Sequence, residues 1–250
     1  MQIIILHDEQ NTFSNKHSGF SLFVKHKRVR ILFDFSHKKD IFKNAKKINL
    51  DINKDIDFFV VSHSHIDHIA NLEHLNLQKR KPLILHPQAL LPKFFKGENI
   101  GITKPILDSL SQFKVLPSKE PFFINKDIVF MGEIKRGNSK HFGENFFGDD
   151  YILDDSALLI NTNKYPVLVT GCSHSGIINI IKQADQIFDR EVKVVIGGLH
   201  IFEDGNDEIF EFLKERGIKI IFGHCYDEKN GKKLEEMNAV KMKTLDCFEF

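Results

Sequence analysis

Residues 57–68 read DFFVVSHSHIDH. The first five form a short run of Phe and Val, the signature of a buried strand. Directly after it, His63, His65, Asp67 and His68 place three imidazoles and a carboxylate within six residues. Polar side chains crowded against the end of an apolar strand cost free energy unless they find partners. A divalent metal supplies that partner, because neutral imidazole and carboxylate are natural ligands for it. The nitrogen and oxygen donors suit Zn best, with Fe or Mn as alternatives. In a loop leaving a strand, His63 and His65 can face one ion. A turn into a helix then brings Asp67 and His68 to a second, and paired ions of this kind sit roughly 3.5–4 Å apart.

Three other apolar runs end in the same way. VLVTGCSH (167–174) carries Cys172 and His174 past its end, VVIGGLH (194–200) carries His200, and IIFGHC (220–225) carries His224 and Cys225. In each, one or two small residues let the backbone turn before the ligand-type side chain. Sites in α/β sheets form at the carboxyl ends of strands. Four strands delivering histidines to such an edge are expected to build one metal centre.

The rest of the composition bounds this reading. With 250 residues, 42% hydrophobic and 28% charged, the chain can bury a real core, and it is read as one domain, 1–250. Phe (24) dominates the aromatics over Tyr (3) and Trp (0), so the core should be rich in Phe, Ile and Leu. A net charge of +1 argues against a nucleic-acid or anionic-membrane binder. Lys38, Lys39, Lys43, Lys46 and Lys47 read as a solvated helix face. MQIIILHDEQ lacks the basic start and long apolar run of a signal peptide, and no stretch reaches membrane-spanning length. A cytoplasmic protein acting on a small molecule is expected, its oligomeric state unset by the sequence. Three cysteines, Cys172, Cys225 and Cys247, make no disulfide framework.

Along the chain, strands are expected at 2–6, 19–24, 29–35, 57–61 and 82–86, with helices at 38–48, 68–77 and 88–95. Two or three strands should fall within 111–133, and the polar, Gly-rich segment 135–155 should loop over the site. A hairpin is expected from 157–161 and 166–170. Helices at 175–188, 206–216 and 230–238 should then alternate with strands at 192–197, 218–222 and 244–249. Strands first and alternation later imply sheets covered by helices.

The H-x-H-x-D-H string resembles the signature of the metallo-β-lactamase superfamily. HSGFSLFV (17–24), ILFDFS (31–36), SHSHIDH (62–68), DDSALLIN (154–161), TGCSHSGI (170–177), GGLH (197–200) and GHC (223–225) follow the order of one subfamily. That subfamily includes the methanopterin-pathway dihydropterin-ribofuranosylaminobenzene-phosphate synthase and its bacterial relatives. The resemblance spans nearly the whole chain and implies a four-layer αββα sandwich with the metals along one edge. It assigns His63 and His65 to a first metal, Asp67 and His68 to a second, and His224 to the last metal histidine. Where the superfamily often carries Gly-Asp, with a bridging carboxylate, this chain has Gly171-Cys172. Either Cys172 takes that place as a thiolate or His174 acts instead. The family's middle histidine is missing, Asp154-Asp155 occupies its neighbourhood, and His174 or His200 would complete the set.

Other departures are Phe35-Ser36 for a Thr-Gly pair, Ile69-Ala70-Asn71 for a Gly-rich stretch, and Tyr226-Asp227 for a small pair suited to an anion. Asp34 is either a carboxylate orienting a ligand histidine or a turn residue. Cys225 is either a ligand or a small buried residue, and His200 and Asp155 are further candidates. His17 is a candidate for the substrate mouth, and His141 lies in the loop expected over the site.

The leading expectation is a metal-dependent hydrolase acting on an ester, amide or phosphoryl bond, with Asp67 orienting the nucleophile or taking its proton. The second is a synthase-like transferase that releases pyrophosphate. The third is a non-catalytic metal or ligand sensor, suggested by the irregular ligand set.

Overall fold

The computed structural model describes residues 1–9, 19–136, 142–202 and 204–250. His17 and His141 lie outside the described residues. The first half builds strands β1 (Gln2–Glu9), β2 (Gly19–His26), β3 (Val29–Phe33), β4 (Phe58–Val60) and β5 (Lys81–Leu85), with helices α1 (Asp40–Lys47), α2 (Ile52–Asp55) and α3 (Ile66–Ile69). Next come β6 (Lys93–Phe95), β7 (Glu98–Asn99), helix α4 (Lys104–Ser109), β8 (Phe113–Pro117), β9 (Phe122–Asn125), β10 (Ile128–Phe130), β11 (Glu144–Asn145) and β12 (Gly148–Asp149). The second half adds β13 (Ala157–Asn161), β14 (Pro166–Thr170), α5 (Ile177–Phe188), β15 (Val194–Gly197) and α6 (Asp207–Glu215). It ends with β16 (Lys219–Phe222), α7 (Glu228–Glu236), β17 (Val240–Lys241) and β18 (Cys247–Glu249).

Two seven-stranded sheets result, ordered β18-β1-β2-β3-β4-β5-β8 and β17-β16-β15-β14-β13-β10-β9. In each, a parallel half adjoins an antiparallel half: β3-β4-β5-β8 are parallel in the first, and β14-β15-β16-β17 in the second. Strands of such sheets are buried on both faces, which is why they read as unbroken apolar runs. Alternate residues of each strand divide between a shared inner core and an outer one. Ile3, Ile5, Phe33 and Val60 meet Leu158, Ile160, Val167 and Ile196 between the sheets. Ile4, Leu6, Leu32 and Phe59 turn outward onto α1 and the first sheet's other helices. Leu159, Leu168, Val195 and Phe222 turn outward onto α5, α6 and α7. The layers are therefore αββα, the architecture expected.

Helix spacing follows the same logic. On α5, Ile177, Ile180, Ile181 and Ala184 are the buried positions, the i, i+3, i+4, i+7 stripe of an amphipathic helix. On α1, Ile41 and Ala45 face inward, while Lys39, Lys43, Lys46 and Lys47 are exposed, as a solvated face requires. No helix among the described residues is long and apolar enough to cross a membrane.

Three sequence expectations need correction. The helix at 88–95 is instead a 3-10 turn, Pro87–Leu90, followed by strand β6. Pro92 ends helical continuation, and Phe94 pairs with Asn99 and Glu144. The helix at 68–77 shrinks to α3 and a 3-10 turn, Ala70–His74. There Asn71 is committed to the carbonyls of Phe35, Ser36 and Lys38. The segment 135–155 contains hairpin β11–β12, which joins β6 and β7 in a third, four-stranded sheet ordered β12-β11-β6-β7.

Candidate metal centre

The first sheet presents Asp34 just past β3 and the His63–His68 loop just past β4. The second presents Cys172 and His174 past β14, His200 past β15, and His224 and Cys225 past β16. All are ends of parallel strands, so the two sheets face their carboxyl edges at one place. Gly171 permits the approach: a Cβ there would lie 2.1 Å from Ser62 Oγ and 3.0 Å from Asp34 Oδ2.

Among the described residues, two groups of side chains bring their donor atoms within 4.8 Å of one another: His63, Cys172 and His174, and His68, Cys172 and His224. Cys172 belongs to both. His65 joins the first, its Nδ1 3.0 Å from His63 Nε2 and its ring centroid 4.9 Å from that of His174. Asp67 joins the second, with Oδ2 3.3 Å from His224 Nε2 and 3.9 Å from His68 Nε2.

Counting donors shows how these rings are set. Asp34 Oδ2 accepts from Ser62 Oγ and from His68 Nδ1, both at 2.7 Å, while Oδ1 accepts from the Ser62 amide at 2.7 Å. Having given its proton to Asp34, Ser62 Oγ accepts from His63 Nδ1 at 3.0 Å. His224 Nδ1 donates to the Glu9 carbonyl at 2.8 Å. In the neutral rings the Nε2 atoms of His63, His68 and His224 are then bare acceptors. Yet His68 Nε2 lies 3.0 Å from His224 Nε2, and Cys172 Sγ lies 3.2 Å from the former. His65 Nε2 and His174 Nε2 are buried with no hydrogen-bond partner. Converging lone pairs of this kind fit a cation, and imidazole, carboxylate and thiolate are the donors a divalent transition metal takes. A ligand histidine held through its other nitrogen by a carboxylate or carbonyl is the usual supporting arrangement.

Protonation divides the donors: at His224 burial lowers, but Cys225 and Asp67 outweigh it and raise that ring well above the ordinary range, whereas three other rings are held down. Burial, then the neighbouring His68, His65 and His174, hold His63 well below the ordinary imidazole range. His174 is lowered by burial and by His200, and His65 falls to about 4, chiefly by burial. These rings stay neutral, the form that ligates. For Asp67, burial opposes ionisation, but His68 and His224 outweigh it and keep the carboxylate charged. Burial and Cys225 push the Cys172 thiol up. Burial also opposes ionisation of Cys225, but its Cys172 contact and His224 pull that thiol well below the usual range.

The remaining candidates separate. Asp34 touches histidines of both groups, His68 directly and His63 through Ser62. Cys225 is buried, with Sγ 2.8 Å from Cys172 Sγ. His200 lies against His174 in a tilted contact at 4.1 Å between centroids, outside both donor groups. Asp155 is not brought to the donor groups; it accepts from the Ser175 amide at 2.7 Å and so clamps the loop that carries Cys172 and His174. Asp154 does related work from the other side, its Oδ2 accepting from Ser64 N and Oγ at 2.8 and 3.0 Å. Sequence reasoning missed what holds Asp154. Lys93 Nζ lies 2.8 Å from Asp154 and 2.7 Å from Asp150, all three essentially buried. It also missed Glu9, since a backbone carbonyl leaves no mark in composition. Asp34→Asn should lower zinc affinity about 10–100-fold, as loss of an orienting carboxylate does. Competition against a zinc-binding dye checks this, and unchanged affinity would make Asp34 a mere turn residue.

The fold and these converging donors define a class, the metal-centred αββα proteins. The family model of the metallo-beta-lactamase superfamily matches residues 16–144, and the chain belongs to that superfamily. Membership implies use of a divalent metal. A Methanocaldococcus jannaschii enzyme, 7,8-dihydropterin-6-methyl-4-(beta-D-ribofuranosyl)-aminobenzene-5'-phosphate synthase, is 31% identical over 236 residues, covering 84% of this chain and 78% of its own. An uncharacterized protein of the same organism is 28% identical over 250 residues, 95% and 94% of the two chains. Among solved structures, Tm1679, a metal-dependent hydrolase of the beta-lactamase superfamily, superposes with a TM-score of 0.82 at 26% identity, over 100% of this chain and 99% of its own.

Proposed function

We propose that the chain is a metal-dependent hydrolase with two divalent ions, preferentially Zn. One would be held by His63, His65, His174 and Cys172, the other by Asp67, His68, His224 and Cys172. The single observation that carries this reading is the place of Cys172 in both donor groups. A thiolate among imidazoles favours Zn over Mn, which prefers oxygen donors. The ions would polarise an ester, amide or phosphoryl oxygen and acidify water toward a pKa of about 7. Asp67, kept ionised beside His68 and His224, would orient the attacking water through its carboxylate. Phe142, against His65 and His174, walls one side of the centre with apolar surface. The substrate is a small molecule with one such bond. Activity on a panel of lactones, phosphodiesters and small amides should vanish on chelation and return with Zn or Mn. Turnover that persists after chelation and in His65→Ala would overturn the proposal.

A second reading has one observation in its favour, the 31% identity to the synthase. In that reading the same residues would serve a transferase that joins a pterin-type pyrophosphate to an arylamine. Pyrophosphate release that depends on added arylamine separates it from hydrolysis.

A further inference from the structure

Cys172 and Cys225 follow strands that are not neighbours. β15 lies between β14 and β16, and strands in a sheet are about 4.8 Å apart, so the ends of β14 and β16 should stand about two spacings from each other. The two sulfurs nevertheless meet at 2.8 Å. The reason lies in how β15 ends. A Cβ on Gly198 would fall 2.3 Å from the Gly171 carbonyl oxygen, 3.1 Å from Cys172 Cα and 3.3 Å from Cys225 Cβ. Only a residue without a side chain lets the loops after β14 and β16 close over the end of β15. The sulfurs are both free thiols, and a disulfide bond of about 2.05 Å needs them to move by less than 1 Å. Cys172 is also the donor common to both groups. The adjoining His174 and His200 are half-buried, while both sulfurs are buried.

We propose that Cys172 and Cys225 form a redox-closable dithiol, with a hydroperoxide as oxidant, whose disulfide withdraws the shared sulfur donor and turns off metal loading. The regulatory part rests on the two-metal reading above; the dithiol part does not. One thiol sulfur attacks the O–O bond of hydrogen peroxide, becomes a sulfenic acid and releases one water. The second thiol sulfur then attacks that sulfenic sulfur, forming the S–S bond and releasing a second water. Two thiols are oxidised, one peroxide is reduced, and the two thiol protons leave in the waters. A reductant thiol reverses the step.

The test takes the full chain, strips it with chelator, treats it with hydrogen peroxide and counts thiols after denaturation. Thiols should fall from three to one, leaving Cys247, with a Cys172–Cys225 linked peptide in the non-reduced digest. Zinc uptake should fall to near zero and recover with dithiothreitol, and zinc-loaded chain should resist the same dose. Cys225→Ser should give no linked peptide and instead carry sulfenic or higher acid on Cys172. Three surviving thiols, or loss of thiols without the linked peptide, would overturn the dithiol. A linked peptide with undiminished zinc uptake would overturn the regulatory part. Reduced chain that binds no zinc would overturn the metal reading and the regulatory part together, while the thiol count still decides the dithiol.

Discussion

Replacing Cys172 by Ala should empty both metal positions, leaving less than one ion per chain and lowering turnover by more than about 100-fold. A ligand lost from the reacting centre should cost at least what loss of an orienting partner does. His174→Ala should behave differently and cost only one ion, because His68, Asp67, His224 and Cys172 are untouched. The contrast follows from Cys172 lying in both donor groups while His174 lies in one. If Cys172→Ala kept two ions per chain and His174→Ala lost one, the cysteine would be packing material beneath the strand end. Metal content by elemental analysis, read beside turnover, decides between these outcomes.

Lys93→Ala should destabilise the fold by about 3–5 kcal/mol, the usual result of removing one partner from a buried ion pair. Here the loss strands two buried carboxylates, Asp150 and Asp154, together. It should appear in urea unfolding as a lower midpoint at unchanged slope. K93M/D150N/D154N, which removes all three charges, should regain much of the loss. A cost below about 1 kcal/mol would mean that the cluster is no stronger than a surface pair. Acid should reproduce part of the effect. For Asp154, burial favours the neutral acid, but Lys93 outweighs it and depresses the folded pKa. The stability it contributes is therefore complete above the carboxylate's unfolded pKa and is lost as the pH falls below that value, through the depressed one. Because Asp154 also holds Ser64, the same variant should loosen the loop between His63 and His65.

The parts of the molecule that the sequence disclosed are those whose signal is local. DFFVV followed by four ligand-type residues marks both a strand and what its end delivers, and three later strands repeat the pattern. Period-2 burial leaves apolar runs because both faces of these strands are covered. What stayed hidden depends on distant pairing. Nothing near Lys93 announces partners 57 and 61 residues on, and the segment looks helical until β6 finds Glu144–Asn145. Cys225 gave no reason to be placed against Cys172 until β15 was seen to stop at a glycine between them. Asp155 is a candidate by position, but its carboxylate accepts from the Ser175 amide and is not brought to the donor groups. The sequence leaves Asp34 two roles because only the folded chain shows that it reaches His68 directly and His63 through Ser62.

The most direct measurement is the transition-metal content of the protein purified without chelator, then stripped and reloaded. Two ions per chain, recovered on reloading with Zn, is the result expected. A chain that holds no transition metal as purified, and takes up none when it is offered with its thiols reduced, would contradict the central claim.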